Sequence, residues 1–323
     1  MGLFIARRIG KGVVVLLAIV VLNFFLIRLA PGDPALVMAG EAGAADEVFV
    51  AQLREKFALD QPLPRQLASY VRNIVGLDLG YSVRQQMPVA TLIGDRLPAT
   101  LLLTGTAFLI SLALGVLFGA LAARRAGSLA DTAITGVALL FYATPLFWVS
   151  LMAIIVFSVR LDWLPSFGFE TVGAGYAGLA RAADIAHHLV LPAMTLGLFF
   201  MAVYVRMTRA SMLEVMGLDF VKTARAKGLA EGVIQRRHVL RNALLPVVTL
   251  AGLQAGTLVG GAVLTETVFA WPGIGRLMYE ALLQRDYNLL LGVFVVSSGM
   301  VLVFNLVTDV VYRVVDPRIE AAR

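Results

Sequence analysis

Apolar residues run along this chain in long unbroken blocks rather than in alternation. Six stretches carry no charge: Gly12–Ile27, Leu97–Ala123, Thr132–Val159, Ile185–Val205, Asn242–Thr265 and Tyr287–Thr308. About 20 apolar residues in a helix cross a hydrocarbon core of roughly 30 Å, and five of the runs reach that length unaided. The first is shorter, but Arg7, Arg8, Lys11 and Arg28 flank it, and their long stems let the charges reach the headgroups. Strand alternation is absent, so helices must satisfy the backbone inside the bilayer. The pattern predicts an all-α integral membrane protein with six transmembrane helices, at about 9–29, 97–123, 132–159, 185–205, 242–265 and 287–308. Reading the first run as a cleaved signal peptide would leave an odd number of spans.

Composition agrees: 59% of the 323 residues are hydrophobic and 15% charged, against roughly 25% charged in a soluble domain. Basic residues then set the orientation. The N-terminus, the link at Arg124–Arg125, the segment 206–241 and the tail 309–323 hold 16 basic and 7 acidic residues. The segments 28–96, 160–184 and 266–286 hold 11 basic and 14 acidic residues. Both termini are therefore expected in the cytoplasm, and the net charge of +6 reflects topology rather than nucleic-acid binding, which needs a basic patch in a soluble domain. With no cysteine, disulfide and thiolate chemistry are excluded.

Two connections and three spans carry further signals. The outward segment 28–96 is too long for a plain connector. Phe49, Val50, Leu53 and Phe57 have helical spacing, as do Leu67, Tyr70, Val71, Ile74 and Val75, with a break at Asp60–Pro64. It is either a cap on the membrane face or a docking surface. Pro98 is expected to open the second span. Pro145, inside the third span, is expected to kink it, either to line a cavity or as plain packing. Gly252, Gly256 and Gly260 form a small-residue row that permits close helix contact, within the chain or between subunits. The inward segment 206–241 reads as helical from Asp219 to Ala226, ends at Gly228, and presents Lys222, Arg225 and Lys227. It is either an interfacial helix on anionic lipid or a handle for a soluble partner.

Catalytic chemistry finds no support in these residues. Lys222-Thr223 is the nearest approach to a phosphate-binding loop, but Val221 stands where that turn needs glycine. His187 and His188 are adjacent, so on a helix they point about 100° apart and make a poor metal pair. No carboxylate pair sits at bilayer depth. No cofactor, metal or enzymatic activity is expected.

A family resemblance spans nearly the whole chain. Val221-Lys-Thr-Ala-Arg-Ala-Lys-Gly228-Leu229 followed by Arg241-Asn-Ala-Leu-Leu-Pro246 resembles the cytoplasmic loop of type I ABC importer permeases, dipeptide/oligopeptide/nickel branch. Ala30–Pro34, Leu59–Pro64, Asp95–Thr100, Thr144–Trp148, Glu266–Gly275, Arg285–Tyr287 and Asp316–Arg318 extend the likeness to the first permease subunit of that branch. The resemblance implies that Lys222, Thr223, Ala224, Arg225, Ala226, Lys227, Gly228 and Leu229 form a coupling helix for an ATP-hydrolysing subunit. The general pattern has Glu-Ala-Ala before the glycine, where this chain has Lys222-Thr223-Ala224, so Arg225 and Lys227 are the charges left for a partner. It further implies a second homologous permease, two ATP-binding subunits and a periplasmic or lipid-anchored solute-binding protein that docks on 28–96, with the chain in the bacterial inner membrane. The expected division is 1–93 (first helix plus periplasmic loop), 94–313 (the transmembrane domain) and 314–323 (the tail). Peptides are the implied substrate. Nickel chelates, glutathione and a stand-alone carrier are the rivals, the last needing ionisable residues at bilayer depth.

Overall fold

The computed structural model describes residues 2–29, 50–51, 54, 61–82 and 84–315. The described residues are mostly helical. In order it forms α1 (Gly2–Leu29), α2 (Leu63–Val75), a two-stranded hairpin of β1 (Tyr81–Ser82) and β2 (Met87–Pro88), α3 (Val89–Arg124) and α4 (Leu129–Ala143). There follow α5 (Leu146–Ala153), which widens into π-helical turns over Ile154–Arg160, then α6 (Gly178–Met216) and α7 (Asp219–Ala226). Last come α8 (Arg241–Val268), entered through π-helical turns over Ile234–Leu240, α9 (Ile274–Leu283) and α10 (Tyr287–Val315). The strands are antiparallel, Tyr81 opposite Pro88 and Ser82 opposite Met87.

Stretches of α1 and α10, and α3 and α6, are long and apolar enough to cross a membrane, and α4 with α5 and its π turns would make a fifth crossing. The fifth charge-free run lies within the 28 residues of α8. Of the two helices expected in the outward loop, α2 takes up Leu67 to Val75. Phe49, Leu53 and Phe57 lie outside the described residues, as do Ala30–Pro34 and Asp316–Arg318.

The helices outrun the charge-free runs. α6 has 39 residues, roughly 58 Å at 1.5 Å per residue, about twice a hydrocarbon core. Pro98 does not open its helix. α3 begins nine residues earlier, at Val89, and Pro98 lies inside it. The apolar side chains of Val89, Leu92 and Ile93 are buried, and that burial holds a turn a proline would otherwise start. The third run also differs from expectation. Instead of one kinked helix it forms two limbs, 129–143 and 146–160, meeting at 103°. Proline disfavours helical torsions in the residue before it. Thr144 is accordingly extended (φ −85°, ψ 135°), and Pro145 (φ −56°, ψ 129°) starts the second limb instead of bending the first.

Two compact units divide the chain: residues 1–100 with 272–303, and 101–271 with 304–323. In the first, Val89, Leu92 and Ile93 of α3 pack with Ile274 and Leu277 of α9 and Leu289 and Val293 of α10. Asp286 caps α10, its carboxylate accepting from the Leu289 N–H at 3.1 Å and from the Ser82 hydroxyl. In the second unit α6 is the central element, with Leu189 to Val205 largely buried. Here the connection 161–177 is tied down at Gly168, whose N–H donates to the Phe269 carbonyl at 2.9 Å, and at Phe169, whose ring meets Trp271 edge-on at 4.8 Å.

Candidate functional site

The helix α7 is short, and an isolated helix of eight residues has no independent stability in water. Its ends and one face account for its order. Asp219 stands in the first turn, where a carboxylate suits the positive end of the helix dipole, and takes Lys222 Nζ at 2.9 Å. Gly228 adopts φ +78°, the left-handed conformation that closes a helix. The Gly228 N–H then donates to Arg225 O at 2.9 Å and the Leu229 N–H to Ala224 O at 3.4 Å. Val221 and Ala224 are buried, three residues apart on one face. They sit in a cluster with Ala123 of α3, Met212 of α6, Ile234 and Val239 of the π turns and Ala243 of α8.

That seating leaves Lys222, Thr223, Arg225, Ala226, Lys227, Gly228 and Leu229 exposed together. Ala224, among the expected contact residues, instead faces inward as an anchor. Arg225 is not a free charge either. Its Nε and Nη2 donate to the Glu231 carboxylate at 3.1 and 2.9 Å, because the turn at Gly228 brings Glu231 back beside it. Thr223 Oγ1 donates to the Asp219 carbonyl at 2.9 Å. Lys227 is exposed, with no ion pair among the described residues.

The Arg225 guanidinium holds the Glu231 carboxyl below its usual range, chiefly by hydrogen bonding. A depressed carboxylate contributes stability that is present above its unfolded value and lost as pH falls through the folded one. The tie between Glu231 and α7 is thus intact above pH 4.5 and loosens in more acidic solution. Both groups are about half exposed, so the effect on global stability is small. Because the chain has no cysteine, a spin label on Lys227→Cys reports it cleanly. Its mobility should rise below that pH, and Glu231→Gln should make it pH-independent.

A second polar feature stands beside this platform. Asp131, in the first turn of α4, is buried and takes Arg209 of α6 in a two-pronged pair, both N–O distances 2.7 Å. The carboxylate also accepts from the Gly127 N–H at 3.0 Å, and the Ser128 hydroxyl caps α4 by accepting from the Asp131 N–H. The pair holds the 125–128 link against α6 one helical turn before Met212, which lies under α7. Sequence reasoning passed over both residues, treating Asp131 only as the edge of a charge-free run.

Close helix approaches also occur outside the expected row. Gly115 and Gly119 of α3, spaced four apart, face Tyr204 and Thr208 of α6, and a Cβ on Gly119 would stand 2.7 Å from Thr208 Cβ and Val205 O. Gly197 of α6 answers on the other side, 2.9 Å from Ile110 Cγ2. Gly115-Val-Leu-Phe-Gly119 is itself a small-residue motif, so the signal was present. Of the expected row, Gly252 abuts Thr308 of α10 within the same unit, and Thr308 Oγ1 donates to the Gly252 carbonyl at 2.9 Å. Gly256 is buried. The surroundings of Gly260 lie outside the described residues.

The adjacent histidines part, as their spacing requires. His187 Nε2 pairs with the Trp163 carbonyl at 3.1 Å and His188 Nδ1 with the Asp184 carbonyl at 2.9 Å. His187 thereby fastens the 161–177 connection to the start of α6, whereas the His188 bond lies within α6.

Residues 115–321 match the family of binding-protein-dependent transport system inner membrane components, and residues 1–104 match its N-terminal companion family. The chain belongs to this family. It is accordingly a multi-pass protein of the inner membrane and a transport component rather than an enzyme. It is 40% identical over 333 residues to the dipeptide transport system permease protein DppB of Escherichia coli K12, with 98% of each chain covered. It is 41% identical over 322 residues to the oligopeptide transport system permease protein AppB of Bacillus subtilis 168, covering 99% of this chain and 100% of that one. Among solved structures it resembles the inward-facing MetNI methionine ABC transporter, with a TM-score of 0.56 and 20% identity over 70% of this chain and 96% of that one. An amino acid ABC transporter gives a TM-score of 0.51 at 15% identity. At those identities the likeness speaks for the fold, which is that of ABC transporter membrane subunits.

Proposed function

We propose that the chain is one permease of an ATP-driven importer and carries di- or oligopeptides across the inner membrane. It works beside a second homologous permease, two ATP-binding subunits and a solute-binding protein. The observation that carries this reading is α7, a short helix anchored by Val221 and Ala224 with its other face open. That is the form a mechanical contact needs, because a push on the exposed face reaches α3, α6 and α8 through one shared cluster. α8 is read as the sixth crossing, its 28 residues being long enough to span. Both termini and α7 then lie in the cytoplasm, where ATP is. The names of the relatives supply the substrate: DppB is a dipeptide and AppB an oligopeptide permease.

In operation, closure of the ATP-bound subunits draws the α7 helices together and opens the path outward, and hydrolysis resets it. The protein contributes two arrangements whose balance the partners shift. Proteoliposomes holding the complete complex, with ATP inside and binding protein outside, should accumulate labelled dipeptide. Uptake without ATP, or uptake of nickel chelates but not peptides, would overturn the reading.

A further inference from the structure

Arg206 follows the fourth charge-free run, and its backbone stands one helical turn from Arg209 on α6. Its charged head does not stay at that level. The guanidinium carbon lies 5.2 Å from the centre of the Tyr142 ring, and Tyr142 stacks on Phe199 at 5.5 Å. The depth of these rings follows from the antiparallel pairing of α4 with α6. Asp131 and Arg209 bind each other at one end of that pair. Tyr142 is eleven residues along α4 from Asp131, and Phe199 ten residues back along α6 from Arg209. At 1.5 Å per residue both rings stand about 15 Å from the ion pair. Helical side chains lean toward the N-terminus of their helix, and Arg206 follows that lean inward to the rings.

A cation at that depth is costly against hydrocarbon and belongs on a protein-lined, watered path. Among the described residues no carboxylate lies within ion-pairing distance of Arg206, and both Arg206 and Tyr142 are exposed. The aromatic face holds the guanidinium by a cation–π contact and leaves its donor edge open. That edge is planar and forked, and its complement is a carboxylate. Tyr142 is also the second-last residue of α4, just before the break at Thr144–Pro145, so the site stands where the span broken at 103° turns. A lipid phosphate shares the anionic chemistry, but phosphates stay at the headgroup level, outward of these rings.

We propose that Arg206, held on Tyr142 and Phe199, is a way station for the free α-carboxylate of a peptide in transit. This rests on the peptide reading above. Peptides with a free carboxylate are drawn to it, and peptides with an amidated C-terminus are not.

The test is uptake by the complete complex in proteoliposomes, comparing a dipeptide with its C-terminal amide in wild type and Arg206→Gln. Taking the variant-to-wild-type ratio for each peptide cancels any preference of the binding protein. Loss of a charged hydrogen-bonded pair should lower kcat/KM for the free acid roughly 10-fold, leave the amide within about two-fold, and be partly restored in Arg206→Lys, which keeps the charge without the planar fork. Tyr142→Phe, which keeps the ring, should match wild type, while Tyr142→Leu should move toward the Arg206→Gln result. Equal loss for acid and amide would mean that Arg206 serves only the end of α4, and would overturn the site. So would an acid-selective loss seen in phosphatidylglycerol vesicles but absent from phosphatidylcholine vesicles, the mark of an anionic lipid headgroup. If wild type takes up neither peptide, the peptide reading itself falls and the site with it.

Discussion

Gly119→Leu should leave this protein close to unfolded in mild detergent, a loss of about 3 kcal/mol at the upper end of overpacking. The first added carbon would meet Val205 O and Thr208 Cβ at 2.7 Å, and one of these obstacles is backbone that cannot swing aside. α3 and α6 would have to part along a face that also carries Gly115 and Gly197. Since α6 is the most buried of the spanning helices, separation there disturbs the clusters on every side of it. Gly119→Ala should already lower the melting temperature, because the clash begins at Cβ. Gly136→Ala on α4 is the control. Nothing stands within 4 Å of its Cβ, and replacing a mid-helix glycine there should be neutral or stabilise by up to about 1 kcal/mol. Thermal unfolding of the three purified variants decides it. A Gly119→Leu protein that melts with wild type would remove the α3–α6 seam from this account.

Arg209→Ala should lower the melting temperature by about 5 °C, and lower transport further than the stability loss explains. Among the described residues it leaves the buried Asp131 carboxylate with only the Gly127 N–H as partner, and an uncompensated buried charge costs more than the pair contributed. The same pair fixes the start of α4 to α6 beside the platform of α7, so breaking it should also loosen transmission from α7 to α4. Asp131→Asn keeps the shape and the Gly127 hydrogen bond and should be milder. The melting temperatures and the uptake per ATP hydrolysed separate the two effects. If uptake per ATP stays at the wild-type value while only the melting temperature falls, the pair is a fastener and not a link.

Much of this was legible in the chain because membrane constraints act locally. Uninterrupted apolar runs can only be buried helices, and Gly228 after a short glycine-free stretch announced α7. What escaped has one common cause, that it depends on which segments meet. Asp131 and Arg209 lie 78 residues apart, and neither has a local reason to be noticed. Arg225 seemed free until the Gly228 turn returned Glu231 to it. A small-residue row shows that a helix can be approached closely, not by what, so the longer row in α8 drew attention from Gly115 and Gly119. At Pro145 the sequence shows only that a proline is present; whether it bends a helix or breaks it at 103° depends on whether packing lets the preceding residue go extended.

The central claim is that the open face of α7 is where a cytoplasmic ATPase subunit binds, and Ala226 tests it better than Gly228. At φ +78° any side chain at Gly228 strains the turn that closes α7, so a loss there would be ambiguous. Ala226 is exposed and helical, and surface substitutions of that kind usually shift stability by less than about 0.5 kcal/mol. The measurement is co-purification of tagged chain from native membranes, wild type against Ala226→Arg. The account predicts an ATPase subunit with wild type and at least a roughly 10-fold loss in the variant, from steric and charge clash at a packed interface, with the melting temperature unchanged. Full retention by Ala226→Arg, or no ATPase subunit with wild type in several mild detergents, would contradict it.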